Sequence, residues 1–245
     1  MLDTPAVQEL RIGISPHSGA LILAETCAPF SHHFPAVRLV PHEGYANDLK
    51  ELLREGAIDL CVTSGEEVEG LERFPVSREE IVLAVPAAQA AAFRQGADAP
   101  KARLADPVDF HSAVFVLPDR HSSLHDYIAP LLAGFQPQAA FTTLNVTMLR
   151  KMISSGAGVG LLPRHHALAD PKLHIFHPRP PRHMTYAIFT REGHSLGEME
   201  QSLFFLWLNN SIGKGIDMVW NEFNRKLMWQ YAPGEAAALQ MEKPQ

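Results

Sequence analysis

LRIGIS (residues 10–15) and FPAVRLVPHEGYANDLKELLREGAIDLCVTSG (residues 34–65) decide the fold. They contain three short apolar runs, Arg11 to Ile14, Val37 to Val40 and Ile58 to Val62, each closed by small polar residues or Gly. The segments between the runs have helical spacing, so the stretch reads as a β-α-β-α-β unit. Ile58 to Val62 shows no in/out alternation, the pattern of a strand covered on both faces in a parallel sheet. Parallel neighbours need crossovers, which the helical segments supply. Ligands of such sheets sit where strands end and helices begin, because the free N–H groups of a helix start favour anions. Ser15, Ser18, Asn47, Thr63 and Ser64 stand at those ends.

The remainder of the 245 residues continues this grammar. Leu71 to Val76 and Glu80 to Val85 are strand candidates, Ala87 to Phe93 is a helix, and Gly96 to Pro100 is a loop. Ala113 to Leu117, Ala139 to Thr143 and Val159 to Leu162 are strands separated by helices at Ser123 to Ala133 and Asn145 to Ser155. GAGVG at 156–160 matches GAIDL at 56–60, each entering the third strand of its unit. Two further strands, Leu173 to Phe176 and Thr185 to Phe189, flank the stiff loop HPRPPRH at 177–183. Ser195 to Asn210 is an amphipathic helix with Met199, Leu203, Leu206 and Trp207 on one side. The expected architecture is α/β with two Rossmann-like lobes, a ligand cleft and two crossovers. Residues 1–9 form a lead, 10–86 and 187–212 lobe I, and 87–186 lobe II. Residues 213–231 form a C-terminal amphipathic helix, docked on its own domain or offered to a partner, and 232–245 a flexible tail.

Composition sets the outer bounds. With 46% hydrophobic and 20% charged residues the chain is ordinary for a soluble globular protein. A net charge of −6 opposes non-specific nucleic-acid binding, which rests on neutralising phosphates. The N-terminus lacks the pattern of a secretory signal, and no apolar run approaches the roughly 18 residues that span a bilayer. A cytoplasmic protein without membrane contact is expected. Cys27 and Cys61 read as reduced packing residues.

The chain resembles the effector-binding region of the LysR-type transcriptional regulators. The resemblance runs from LRIGIS through Phe30, Phe34-Pro35-Ala36-Val37-Arg38-Leu39, Glu43-Gly44, Leu49, Leu52 and Gly56 to Leu60. It continues through Glu80 to Pro86 and ends in Leu149, Met152 and Ile153 to Pro163. It implies a periplasmic-binding-protein type II-like fold, a small-molecule effector held between the lobes, and a homodimer or a hetero-partner regulator. The family's N-terminal winged helix-turn-helix has no counterpart before Leu10, and direct nucleic-acid binding by this chain is not expected.

Transferred residue by residue, the resemblance places the ligand against Ser15, His17 and Ser18, Thr63 and Ser64, His121, Ser122 and Ser123, and Asn145 with Thr147. These hydroxyl, amide and imidazole groups at helix starts suit an organic acid held without a compensating cation. Ser18, Asn47, Ser123 and Asn145 are also ordinary helix caps, and Ser123 with Asp126 has the spacing of a capping box. No cofactor or metal site is expected. His121 and His125 stand four apart without a third ligand in view, and His32-His33 and His165-His166 are adjacent pairs that diverge on a helix. Nucleophile-elbow, Walker, zincin and dinucleotide motifs are missing from the sequence, and GAGVG precedes a strand instead of following one. A non-enzymatic sensor is the reading; an enzyme on the same scaffold and a ligand-free interaction module are the alternatives.

Overall fold

The computed structural model describes residues 8–15, 23–93, 104–213 and 216–243. His17 and Ser18 lie outside them. The chain divides into two compact units, Met1–Arg78 with Thr185–Gln245, and Glu79–Met184.

In the first unit β1 (Gln8–Ile14), α1 (Ala24–His33), β2 (Val37–Glu43), α2 (Ala46–Arg54) and β3 (Leu60–Ser64) form the expected β-α-β-α-β arrangement. β1 lies between β2 and β3 and is parallel to both. Pro29 sits inside α1, which runs through without a break. Leu49 and Leu53 of α2 form one core cluster with Ile58, Cys61, Leu71, Ala187 and Phe189. At β1, Arg11 makes a bidentate ion pair with Asp59, and its backbone N–H donates to the same carboxylate. This ties β1 to the turn that enters β3.

β4 (Leu71–Pro86) is one 16-residue strand that leaves the first unit at Arg78. The two strand candidates at 71–76 and 80–85 are therefore a single strand. Its middle is paired from outside the sequence pattern that suggested them, by a short C-terminal strand described below.

The second unit contains β5 (Leu104–Ala105), β6 (Val114–Pro118), α3 (Ser123–Ile128), β7 (Gln138–Thr143), α4 (Val146–Ser154), β8 (Gly160–Pro163), α5 (Arg164–Leu168) and β9 (Leu173–Pro178). β8 and β9 both pair antiparallel with the second half of β4, while β6 and β7 pair parallel. Ala87–Phe93 is a 3-10 helix rather than an α-helix. The helix expected over 123–133 ends at Ile128 and continues as a 3-10 turn, Ala129–Leu132, because Pro130 cannot donate to an α-helical ladder. GAGVG is a close approach of backbones: Val159 N–H donates to Val114 and Val116 N–H to Val159, both at 2.8 Å. A Cβ on Gly158 would lie 2.5 Å from the Val114 oxygen.

β10 (Arg182–Arg191) returns to the first unit and pairs antiparallel with β3. With β9 reaching Pro178, only residues 179–181 of HPRPPRH remain as a loop. α6 (Glu198–Gly213) buries Glu200, Leu203, Phe204, Trp207, Leu208 and Ser211, a stripe rotated from the expected one, and Met199 and Leu206 are only half-buried. The Glu200 carboxylate accepts the Gly197 N–H and reaches His194, which stabilises the helix start.

Residues 216–231 are not one helix. β11 (Asp217–Met218) pairs with β4 at Arg78 and Ser77, and Asn221 then caps α7 (Glu222–Tyr231) by accepting from Asn224 N–H. The Asn221 and Asn224 side chains both donate to the Pro75 carbonyl. Leu227 and Met228 are buried, and Phe74, Phe204 and Phe223 form a ring cluster with centroids 4.8 to 5.7 Å apart. α7 therefore packs on its own unit. Within the expected tail, Pro233–Ala238 forms α8.

Candidate functional site

In the first unit the ends of β1 and β3 bring Ser15, Thr63 and Ser64 together. The Ser15 N–H donates to the Val62 carbonyl at 3.3 Å, continuing the β1–β3 pairing one residue past β1. Ser15, Thr63 and Ser64 are all buried. The hydroxyls of Thr63 and Ser64 have no hydrogen-bond partner. An orphaned buried hydroxyl costs about 1–3 kcal/mol unless something outside the chain satisfies it.

In the second unit the ends of β6 and β7 bring the other candidates together. Asp119 N–H donates to the Thr143 carbonyl at 2.9 Å, joining the segments that lead into α3 and α4. Ser122, not Ser123, caps α3, its Oγ accepting from Leu124 N–H at 3.3 Å. The capping box read from Ser123 and Asp126 is not the cap that forms, because Ser123 is already the first helical residue and the residue three on from Ser122 is His125. His121 is exposed and bound back to Asp119 through both its backbone N–H (2.9 Å) and Nδ1 (2.8 Å). Those two hydrogen bonds hold the Asp119 carboxyl below its usual range. Asn145 caps α4, with Oδ1 accepting from Thr147 N–H at 2.9 Å and Met148 N–H at 3.0 Å. The Asn145 amide nitrogen remains as a donor. Asn145 and Thr147, with Met148, Lys151, Met152 and Ser155, line an open groove of about 460 Å³.

These features sit in a fold with solved relatives. The family description LysR substrate binding domain matches residues 4–204. The chain belongs to that family. Its fold is the type II periplasmic-binding-protein-like α/β fold. The effector binding domain of QuiR in complex with shikimate superposes with a TM-score of 0.65 at 17% identity, covering 85% of this chain and 99% of that one. The reduced form of OxyR from N. meningitidis gives 0.68 at 14% identity, covering 87% and 100%. A Corynebacterium glutamicum OxyR C206 mutant gives 0.64 at 19%, covering 99% of this chain and 71% of that one. A probable hydrogen peroxide-inducible genes activator of Mycobacterium xenopi is 32% identical over 83 residues, which span 34% of this chain and 44% of that relative. As a member of the LysR family, this chain is an effector-binding domain of a LysR-type regulator.

Two residues stand out in this LysR domain that sequence reasoning did not assign. Lys50 on α2 is 5% exposed, and its ammonium lies 4.4 Å from the centroid of the Phe189 ring. Burial pushes its pKa down. In the amphipathic run LKELLR, Lys50 follows an apolar position, so its pattern is that of a solvated face; only packing reveals the burial. Cys61 on β3 is fully buried, and burial pushes its thiol up to about 12. Burial also raises Cys27.

No group of three or more His, Cys, Asp or Glu among the described residues is arranged to hold a metal ion. His125 instead faces Asp126. No helix among the described residues is long and apolar enough to cross a membrane.

Proposed function

We propose that this chain binds a small organic acid against Ser15, Thr63 and Ser64 of one lobe and Asn145, Thr147 and Ser122 of the other, and that lobe closure transmits binding to a dimer. The observation that carries this reading is the pair of buried, unpartnered hydroxyls of Thr63 and Ser64 at the strand end where such sheets bind ligands. His121 and Ser123 flank the same helix start. The shikimate of the QuiR complex, a small polar carboxylate, is the kind of molecule this chemistry fits. Thermal unfolding of the protein against a panel of small organic acids tests the proposal. At least one should raise Tm, and Ser15→Ala, Thr63→Ala and Asn145→Ala should each reduce that rise; unchanged affinity in all three would defeat the site.

Dimerisation completes the reading. β2 is an open edge in the first unit, β7 is exposed along its length in the second, and Phe141, Leu144 and Met148 beside β7 are exposed. A second copy packed against such an edge would cover it. Sedimentation should find a dimer that Met148→Glu weakens, and a wild-type monomer at all concentrations would remove this part.

Peroxide sensing is the second reading, favoured by the Mycobacterium xenopi relative. Reaction with peroxide requires a thiolate. Both cysteines are pushed away from that state by burial, so small-molecule binding is the better account.

A further inference from the structure

We propose that Lys50 supplies the positive charge of the effector site, selecting an anionic ligand whose charged group docks at the Thr63 to Gly65 strand end; this rests on the effector-site reading above. The Lys50 ammonium abuts Gly65, where an added Cβ would lie only 2.8 Å from Nζ. Gly65 has φ +128, a conformation that favours glycine, and leaves that space to the ammonium. The charge of Lys50 also acts on Cys61. Cys61 and Thr63 share one face of β3, and Gly65 follows directly after the strand, so Thr63 lies between the two positions Lys50 addresses. Thr63 is fully buried and its Oγ1 is unpartnered.

No carboxylate among the described residues comes within ion-pair distance of Lys50, and the Phe189 ring is the partner of its ammonium. Arg73 adds a second cation at the same turn, donating to the Gly65 carbonyl at 3.0 Å, while Glu66 acts on Lys50 only from a distance. A buried ammonium with a ring face for company, beside an orphaned hydroxyl, is a half-built anion site. A carboxylate or sulfate oxygen at the strand end would accept from both Nζ and Oγ1, the charge-assisted geometry that binds strongly.

The test is thermal unfolding of the full chain with sulfate, benzoate, shikimate and the uncharged methyl ester of shikimate, at constant ionic strength. The wild type should respond to at least one anion and bind shikimate about tenfold or more tightly than its ester. Lys50→Met, which keeps the apolar stem over Phe189, should remove the anion response, and Thr63→Val should weaken it. A wild type that responds to no anion, or an anion response that survives in Lys50→Met, overturns the inference. Binding of the neutral ester that depends on Ser15 and Asn145 but not on Lys50 would also overturn it, while leaving the effector-site reading in place.

Discussion

The strand ends of the first unit and the helix starts of the second carry the same kinds of side chain, and the fold treats them in opposite ways. Thr63 and Ser64 are sealed from water with their hydroxyls unmet. Ser122 and Asn145 spend their oxygens on helix caps, and Asn145 and His121 stay exposed. Polar groups that the fold already satisfies are explained by stability. Among the candidate site residues, the hydroxyls that the fold buries and leaves unsatisfied are those of Thr63 and Ser64, in the first unit.

The largest expected effect is on the scaffold that brings β6 and β7 into place. Gly158→Ala adds a methyl group 2.5 Å from a backbone oxygen at φ +159. It should cost about 3 kcal/mol or more in urea unfolding. By contrast Gly70, also at positive φ, has open space around it, and Gly70→Ala should cost only the strain of about 1 kcal/mol.

The comparison between the units sharpens at their polar residues. Asn145→Ala removes a cap and should destabilise by about 1 kcal/mol. Thr63→Val removes an unmet hydroxyl at constant shape and should be neutral or stabilising by up to about 1 kcal/mol. Both should weaken ligand binding, so stability and affinity move together at Asn145 and apart at Thr63. Equal destabilisation by the two variants would break the distinction.

Lys50 extends the contrast to charge. Its folded-state pKa is depressed below the usual 10.5, so the unfolded chain binds the proton more tightly. The cost of burying the charge is present in full below the folded value and is relieved as pH rises through the window toward 10.5. Lys50→Met should therefore be more stable than the wild type at pH 7, by on the order of 1 kcal/mol, with the gain shrinking toward pH 10. A gain that does not change with pH would point to packing alone.

The smallest effect is at Arg11 and Asp59. Burial works against the Asp59 carboxylate, but the hydrogen bonds from Arg11 outweigh it and hold the carboxyl below its usual range. That contribution is present above about pH 4, the unfolded value, and is lost as pH falls through the lower folded one. Asp59→Asn should cost at most about 1 kcal/mol at pH 7, since the pair is partly exposed, and less as pH falls below about 4.

Much of this molecule is written in its hydrophobic pattern. The three parallel strands between Gln8 and Ser64 fall where apolar runs stand, because strands covered on both faces need continuous apolar residues. GAGVG is legible as the entry into a strand, while the close approach of Val114 to Gly158 belongs to the tertiary structure. Features set by distant packing are not legible in this way. β4 looks like two strands until β11, two residues long and 140 positions away, is seen to pair with its middle. The cap register at Ser122 and Ser123 turns on a single residue that composition does not distinguish. Lys50 follows an apolar position in an amphipathic helix, and nothing local separates a solvated lysine there from a buried one. Thr63 and Ser64 are visible as candidates, but their unmet hydroxyls belong to the tertiary structure.

The proposed function turns on Thr63 and Asn145 each contributing to effector binding. Calorimetric titration of the tightest organic acid from the unfolding screen tests it, using the wild type, Thr63→Val and Asn145→Ala, with circular dichroism verifying each fold. The account predicts saturable one-site binding that weakens by about tenfold or more in each variant, since each removes a hydrogen bond to a charged ligand. Binding of wild-type strength in either folded variant would contradict it.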